Sequence, residues 1–148
     1  MYWALLFIHI TAAIMGLGAA IVFPIIAKSA KTTSQAKFTL QLLKRLEPFP
    51  KAGSIALFVT GLIMGIMNPS LFTSGWYIAS IVVYLLTQII VAWLAPKKMK
   101  EQAALLENHF DEQLPPQYAA IGKKLGMMDG ISHLALFVMI VLMVFKPF

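Results

Sequence analysis

The sequence predicts an all-α integral membrane protein: a four-transmembrane-helix up-down bundle with two cytoplasmic amphipathic segments and both termini outside, residues 1–148 forming a single membrane domain. Three observations carry this. Hydrophobic residues make up 59% of the 148 residues and charged residues only 12%, with a mean hydropathy of +0.80, a membrane rather than a soluble composition. Four apolar runs each approach the roughly 20 residues that about 30 Å of hydrocarbon requires. The basic residues are segregated. Six of the twelve Lys/Arg lie between the first and second runs (Lys28, Lys31, Lys37, Lys44, Arg45, Lys51) and five between the third and fourth (Lys97, Lys98, Lys100, Lys123, Lys124), with none from Asn68 to Gly75. The positive-inside rule then places both long loops in the cytoplasm and both termini outside.

Span one runs from about Tyr2 to Ala27, anchored by Tyr2 and Trp3 outside and Lys28 inside. Without a basic leading region or a small-residue cleavage site, it reads as a retained helix rather than a signal peptide. Ala13, Gly16, Ala20 and Ala27 share the face of His9, and Pro24 frees the carbonyl of Ala20, predicting a kink. Thr32 to Leu46 alternates Phe38, Leu42, Leu43 and Leu46 with Lys37, Gln41, Lys44 and Arg45, the pattern of a helix lying on the membrane surface. Glu47-Pro48-Phe49-Pro50 is expected to end it. Span two, Lys51 to Met67, carries Gly61 and Gly65, a small-xxx-small pair for close helix packing. Asn68-Pro69-Ser70 turns the chain. Span three, Thr73 to Ala95, has a polar stripe of Ser80, Tyr84, Thr87 and Gln88 that needs partners in a membrane. Lys97 to Phe110 forms the second amphipathic segment, Asp111 to Pro116 breaks it, and span four runs from Gln117 to Phe145.

Charge and composition also exclude. The net charge of +6 and pI of about 9.7 are accounted for by attraction to anionic lipid headgroups, so no nucleic-acid partner is expected. There is no cysteine, which leaves histidine as the nitrogen ligand and removes thiolate and iron–sulfur sites. No phosphate loop, serine nucleophile or pair of catalytic carboxylates is visible, so hydrolysis has no support.

The chemistry concentrates in Gly122-Lys-Lys-Leu-Gly126-Met-Met-Asp129-Gly130-Ile-Ser-His133, where Gly122, Gly126, Gly130, Asp129 and His133 share one helical face. An ionisable residue inside a span is a functional-site hypothesis by default. His9 and His133, each flanked by small residues, are expected near one depth, where they form the axial pair of one b-type haem with Ala13, Gly16, Gly126 and Gly130 leaving the gap for its plane. Two other readings stay open: plain hydrogen bonding in a packed bundle, and another metal or a proton relay. Asp129 hydrogen-bonds a ligand histidine, passes protons, or pairs with Lys123 or Lys124. Tyr84 and Gln88 are candidate hydrogen-bond partners for a propionate, a quinone carbonyl or a substrate. His109, beside Glu107 and Asp111, reads as a solvated residue. Met64, Met67, Met127 and Met128 admit a Cu(I) site but fit ordinary packing better.

The opening Leu6-Phe7-Ile8-His9-Ile10 followed by Gly16 and Gly18, with Thr60-Gly61-Leu62 and Gly75-Trp76, resembles small bacterial membrane families: the HemJ-type protoporphyrinogen oxidases and the CopD-like domains of copper resistance. The resemblance implies a bacterial plasma-membrane location and, through the first-helix histidine of the HemJ-type proteins, haem b at the position of His9. It implies redox work with a quinone, or handling of haem or porphyrin. The chain departs from the HemJ-type pattern at Pro24-Ile-Ile-Ala-Lys28. The reading is therefore a haem-b-binding electron-transfer or oxidoreductase protein in the lipid bilayer. Its alternatives are a non-redox transporter, channel subunit or assembly factor with a His/Asp relay, and a copper-handling protein. A homo-oligomer is a further candidate assembly.

Overall fold

The computed structural model describes residues 2–148, and four helical rods cross the membrane dimension: Tyr2–Ser29, Thr33–Met67, Gly75–Glu107 and Pro116–Phe145. Six α-helices build them. The first rod is α1 (Tyr2–Ser29) and the last is α6 (Pro116–Phe145). The second joins α2 (Thr33–Leu46) to α3 (Pro48–Met67), and the third joins α4 (Gly75–Gln88) through a π-helical segment (Ile89–Leu94) to α5 (Ala95–Glu107). A 3₁₀ turn over Pro69–Thr73 links α3 to α4.

Each of the two composite rods carries a local change of helix type: α2 ends at Leu46 and α3 begins at Pro48, and a π-helical segment separates α4 from α5. Thr32 caps α2 by accepting the Gln35 N–H, and at its far end the Glu47 N–H still donates to Leu43 O at 2.9 Å. Pro48 and Pro50 fall in the first turn of α3, where a helix does not use its N–H groups, so α3 starts directly after α2 ends. In the third rod Pro96 supplies no N–H and its ring crowds the carbonyl four residues back. The preceding turn widens, and the Ala95 N–H reaches Ile90 O, five residues away.

Rods of 28 to 35 residues exceed about 30 Å of hydrocarbon at about 1.5 Å per residue, so they project beyond it. At the end carrying eleven of the twelve basic residues, the projections form a cap. Ala36 of α2, Leu106 of α5 and Tyr118 of α6 make its core, ringed by Ala30, Leu40 and Leu114. Thr33 N–H donates to Glu112 O (3.0 Å), Lys37 Nζ to His109 O (3.0 Å), and Gln102 Nε2 to Tyr118 O (3.0 Å). Ala36 and Leu106 thus bring α2 and α5 together in the cap, while Phe38 and Phe110 remain exposed, as a helix face lying on lipid would be. His109, read as solvated, is half-buried and bonds Gln113 O at 2.8 Å.

Within the spans the usual inside-out pattern is inverted. Ala12, Gly53, Thr60, Gly65, Ser80, Thr87 and Ser132 are buried, while Phe7, Ile14, Ile25, Ile55 and Ile66 face outward. Lipid supplies no hydrophobic drive between helices, so small residues and hydrogen bonds make the contacts. Helices α1 and α3 cross most closely: a Cβ added at Gly53 would stand 2.7 Å from the Gly16 amide nitrogen and 2.9 Å from the Ala12 carbonyl. Helix α4 packs on α6. Between α3 and α4 two phenols act as struts, with Tyr77 donating to Gly61 O (3.0 Å) and Tyr84 to Ser54 O (2.8 Å). At the far end Lys146 adopts the left-handed conformation (φ 45°). This turns Phe148 back, so that its ring fills the notch at Gly75 and its carbonyl accepts the Trp76 N–H.

Candidate functional site

Each histidine meets a different element. His133 of α6 approaches the Ala20 carbonyl of α1 through Nε2 at 3.0 Å. A carbonyl only accepts, so the Nε2 proton lies in this bond. Ala20 is the residue whose carbonyl Pro24, four positions on, leaves without a helical donor. The imidazole therefore replaces a missing main-chain bond and joins the two helices at that level. In the neutral ring Nδ1 is left as an acceptor.

His9 of α1 faces α3. Its Nδ1 lies 2.8 Å from Thr60 Oγ1, while the Thr60 hydroxyl donates to Ala56 O at 2.6 Å and approaches Leu57 O at 3.1 Å. One hydroxyl carries one proton, so Thr60 accepts from His9 and neutral His9 bears its proton on Nδ1, with Nε2 unprotonated. Gly61 makes room for the ring: a Cβ there would sit 3.4 Å from His9 Cε1.

The two imidazoles are not brought together. His133 reaches α1 at Ala20, eleven residues from His9, about 16 Å along the helix. The His9 side chain leans further toward the helix start. A bis-histidine iron needs its two nitrogens roughly 4 Å apart, twice a metal–imidazole bond, so the haem expected between His9 and His133 does not fit this packing. The expectation of nearby depths, about 6 Å apart, rests on level outer ends. The His133–Ala20 contact instead puts Phe145 near the level of Ile8, twelve residues outward on each helix, and the first turns of α1 extend past α6. No group of three or more His, Asp or Glu side chains placed to hold a metal occurs among the described residues.

The small residues serve several partners. Gly16 lies against Ser54 and Gly53 of α3, Gly122 against Gln102, and Gly126 against the Lys28 ammonium, 3.6 Å from an added Cβ; Gly130 faces open space. Ala13 is half-buried on α1. Tyr84 stacks on Phe58 (5.4 Å, 7°) and, besides donating to Ser54 O, accepts from Ser54 Oγ at 2.7 Å. It therefore binds α3 to α4 rather than joining either histidine. Gln88, half-buried at the end of α4, is a hydrogen-bond partner of neither imidazole. Ser80 and Thr87 satisfy their hydroxyls on carbonyls four residues back in their own helix.

Asp129 is half-buried one turn from His133. The lysine charge acting on it is that of Lys28 of α1, not the expected Lys123 or Lys124, and it makes no salt bridge among the described residues. Lys28, Thr60 and the Ala20 carbonyl are the site groups that sequence reasoning did not single out as such. Pro24 signals the carbonyl, and Gly126 is the notch that admits Lys28.

Fold and contacts together define a four-span integral membrane bundle with an α1–α6 interface built from an Asp, a His, a Lys and a proline-freed carbonyl. The chain belongs to the family described as "Predicted integral membrane protein (DUF2269)", which it matches over residues 3–147. Membership makes it a membrane protein and does not carry the HemJ-type or CopD-like kinship that the first-helix motif resembles. Comparison with curated proteins and with solved structures found no match.

Proposed function

We propose that this protein is a small non-redox transporter or channel subunit in which Asp129 and His133 pass protons along the α1–α6 interface. The observation that carries the reading is the pairing of one half-buried carboxyl group with one imidazole a turn away, facing Lys28, inside an otherwise apolar helix. Intramembrane ionisable groups are costly and mark ion or proton paths. With Nε2 committed to Ala20 O, a proton leaving the Asp129 carboxyl has the His133 Nδ1 lone pair as its acceptor. The imidazolium keeps its Nε2 bond and gives the Nδ1 proton up to a water molecule on its outer side, which returns the ring to its neutral form for the next transfer. Between transfers the Lys28 charge offsets part of the cost that burial sets on the Asp129 anion. Segregation of the basic residues supports a cytoplasmic cap with both termini outside, so Asp129 lies on the cytoplasmic side of His133.

The test is proton entry into liposomes containing a pH-sensitive dye, driven by a potassium diffusion potential. Wild-type protein accelerates entry, and Asp129→Asn and His133→Ala each return it to the protein-free rate while helicity is kept. Wild-type vesicles no faster than empty ones, or variants as fast as wild type, sink the reading.

A second reading rests on His9. Its Nδ1–H is tied to Thr60, the arrangement that orients ligand histidines and leaves Nε2 basic. His9 alone would then hold a haem b or a porphyrin, the bound haem supplying one-electron chemistry. Haemin titration of the detergent-solubilised protein checks it: a Soret shift that His9→Ala abolishes and His133→Ala leaves intact is expected, and an unshifted spectrum rejects it.

A further inference from the structure

The seam between α1 and α6 does not close on the outer side of His133. A groove of about 280 Å³ runs there, lined by Ile21 of α1 and by His133, Leu136, Phe137 and Ile140 of α6. Phe137, 64% exposed, and the exposed Ile21 and Ile140 leave it open to lipid. These residues share one stripe. His133, Phe137 and Ile140 follow at i, i+4 and i+7, and the bond from His133 to Ala20 O brings Ile21 beside them. Toward the cytoplasm the stripe continues through Gly130 and Gly126, and Lys28, seven residues past Ile21 on α1, stands over Gly126. A Cβ added at Gly130 meets nothing within 4 Å, so this end is open too.

One polar side chain lines the groove. His133 Nε2 gives its proton to Ala20 O at 3.0 Å, which leaves Nδ1 as an acceptor. Among the described residues no side-chain nitrogen or oxygen is both buried and without a partner, so the unpartnered Nδ1 is accessible to an occupant. A phospholipid acyl chain would fill the groove and leave that acceptor unpaired in hydrocarbon, which is costly. The fitting head group donates. Ala20 lies eight residues from Lys28, about 12 Å along α1, a depth at which a permanent charge is expensive, so the head is also neutral there. A protonated carboxyl meets both conditions. In its ionised form it is drawn to the entrance, where Lys28 forms no salt bridge among the described residues; an alcohol makes no use of that cation.

We propose that the α1–α6 groove binds a long-chain carboxylic acid, its O–H donating to His133 Nδ1 and its chain lying along Ile21, Phe137 and Ile140. In the relay this acid takes the place of the water molecule at Nδ1, but its binding is measured without proton flow. The protein in phosphatidylcholine nanodiscs is irradiated with palmitic acid carrying a mid-chain diazirine, and the labelled residues are located by mass spectrometry. Label concentrates on Ile21 and on Leu136 to Ile140. Palmitic acid competes for it, while hexadecanol competes less well and methyl palmitate, which cannot donate, about fivefold less well, the worth of one hydrogen bond. His133→Phe keeps a ring without an acceptor and binds about fivefold more weakly. Ile21→Trp fills the groove, leaves the imidazole in place and abolishes the label; far-UV circular dichroism confirms that the variants are folded, and Ile21→Trp decides if His133→Phe is not. Label spread over all lipid-facing helices means an acid merely dissolved in the bilayer and overturns the site. So does an ester or alcohol that competes equally, a folded His133→Phe protein that binds as tightly as wild type, or an Ile21→Trp protein that keeps the label.

Discussion

His133 and Pro24 are coupled through one carbonyl, and that coupling can be measured. In the wild type Ala20 O receives the His133 Nε2–H at 3.0 Å because Pro24 has no N–H to offer. His133→Ala leaves the carbonyl without either donor. An unsatisfied backbone group in hydrocarbon costs several kcal/mol if nothing relaxes, but hydrogen bonds between membrane helices measure about 0.6 kcal/mol on average and at most about 1.7. A loss near 1 kcal/mol is expected, since the neighbouring turn can tilt. In Pro24→Ala the new N–H takes the carbonyl, so His133→Ala removes only ring packing in that background. The four proteins of the cycle, unfolded reversibly in mixed micelles and followed by circular dichroism, should give a coupling of about 0.6 to 1.7 kcal/mol. A coupling under about 0.3 kcal/mol, within ordinary additivity error, would show that His133 does not replace the proline's missing donor. His133→Gln should recover part of the loss, because its amide also donates.

Glycine positions should separate sharply. Gly53→Ala drives a methyl into the α1 backbone and should destabilise by about 1–3 kcal/mol, while Gly18→Ala and Gly130→Ala, with nothing within 4 Å, should be neutral or stabilise by up to about 1 kcal/mol; reversible unfolding in micelles reads all three. Glu112 accepts hydrogen bonds from the Ser34 and Thr32 hydroxyls, which hold its carboxyl below the usual glutamate range. A depressed folded value makes its contribution complete above the unfolded value near 4.5 and lost as pH falls through the folded one. Hydrogen exchange at the Thr33 amide, bonded to Glu112 O, should therefore quicken below that range in wild type and show no such step in Glu112→Gln. The chain has no cysteine, so single cysteines report topology cleanly: in intact cells an impermeant maleimide should label Ser70→Cys and spare Ser34→Cys, and the reverse pattern would invert the proposed orientation.

The spans were legible because composition and run length alone decide which segments leave water. The helix ends were less so. Glu47-Pro-Phe-Pro ends α2 at Leu46 as it reads, but the new helix starts at once, because prolines in a first turn forfeit no bond. On α2 and α5 the apolar pattern divides, with Leu43 and Leu106 buried and Phe38 and Phe110 exposed, and a one-dimensional pattern cannot say which part of a face is covered. The polar stripe on span three was read as needing partners. Tyr84 finds one on α3, but Ser80 and Thr87 bond within their own helix, an option that every hydroxyl in a helix has.

What the sequence could not set is stagger, and stagger decides the site. Between helices in lipid no continuous apolar interface fixes how far one slides along another, so a few polar bonds do: His133 to Ala20, His9 to Thr60, Tyr77 to Gly61 and Tyr84 to Ser54. Each residue is visible in the sequence, but its partner is a backbone carbonyl or a hydroxyl with many equivalents. Pro24 is the exception, since it singles out one carbonyl in α1. Once His133 is anchored there, the histidine pair comes apart by about 16 Å and the bis-histidine cofactor loses its geometry. Lys28 then stands across the interface over the notch at Gly126, where its charge acts on Asp129 without a salt bridge. The relay reading and the failure of the paired-histidine haem thus follow from the same contact.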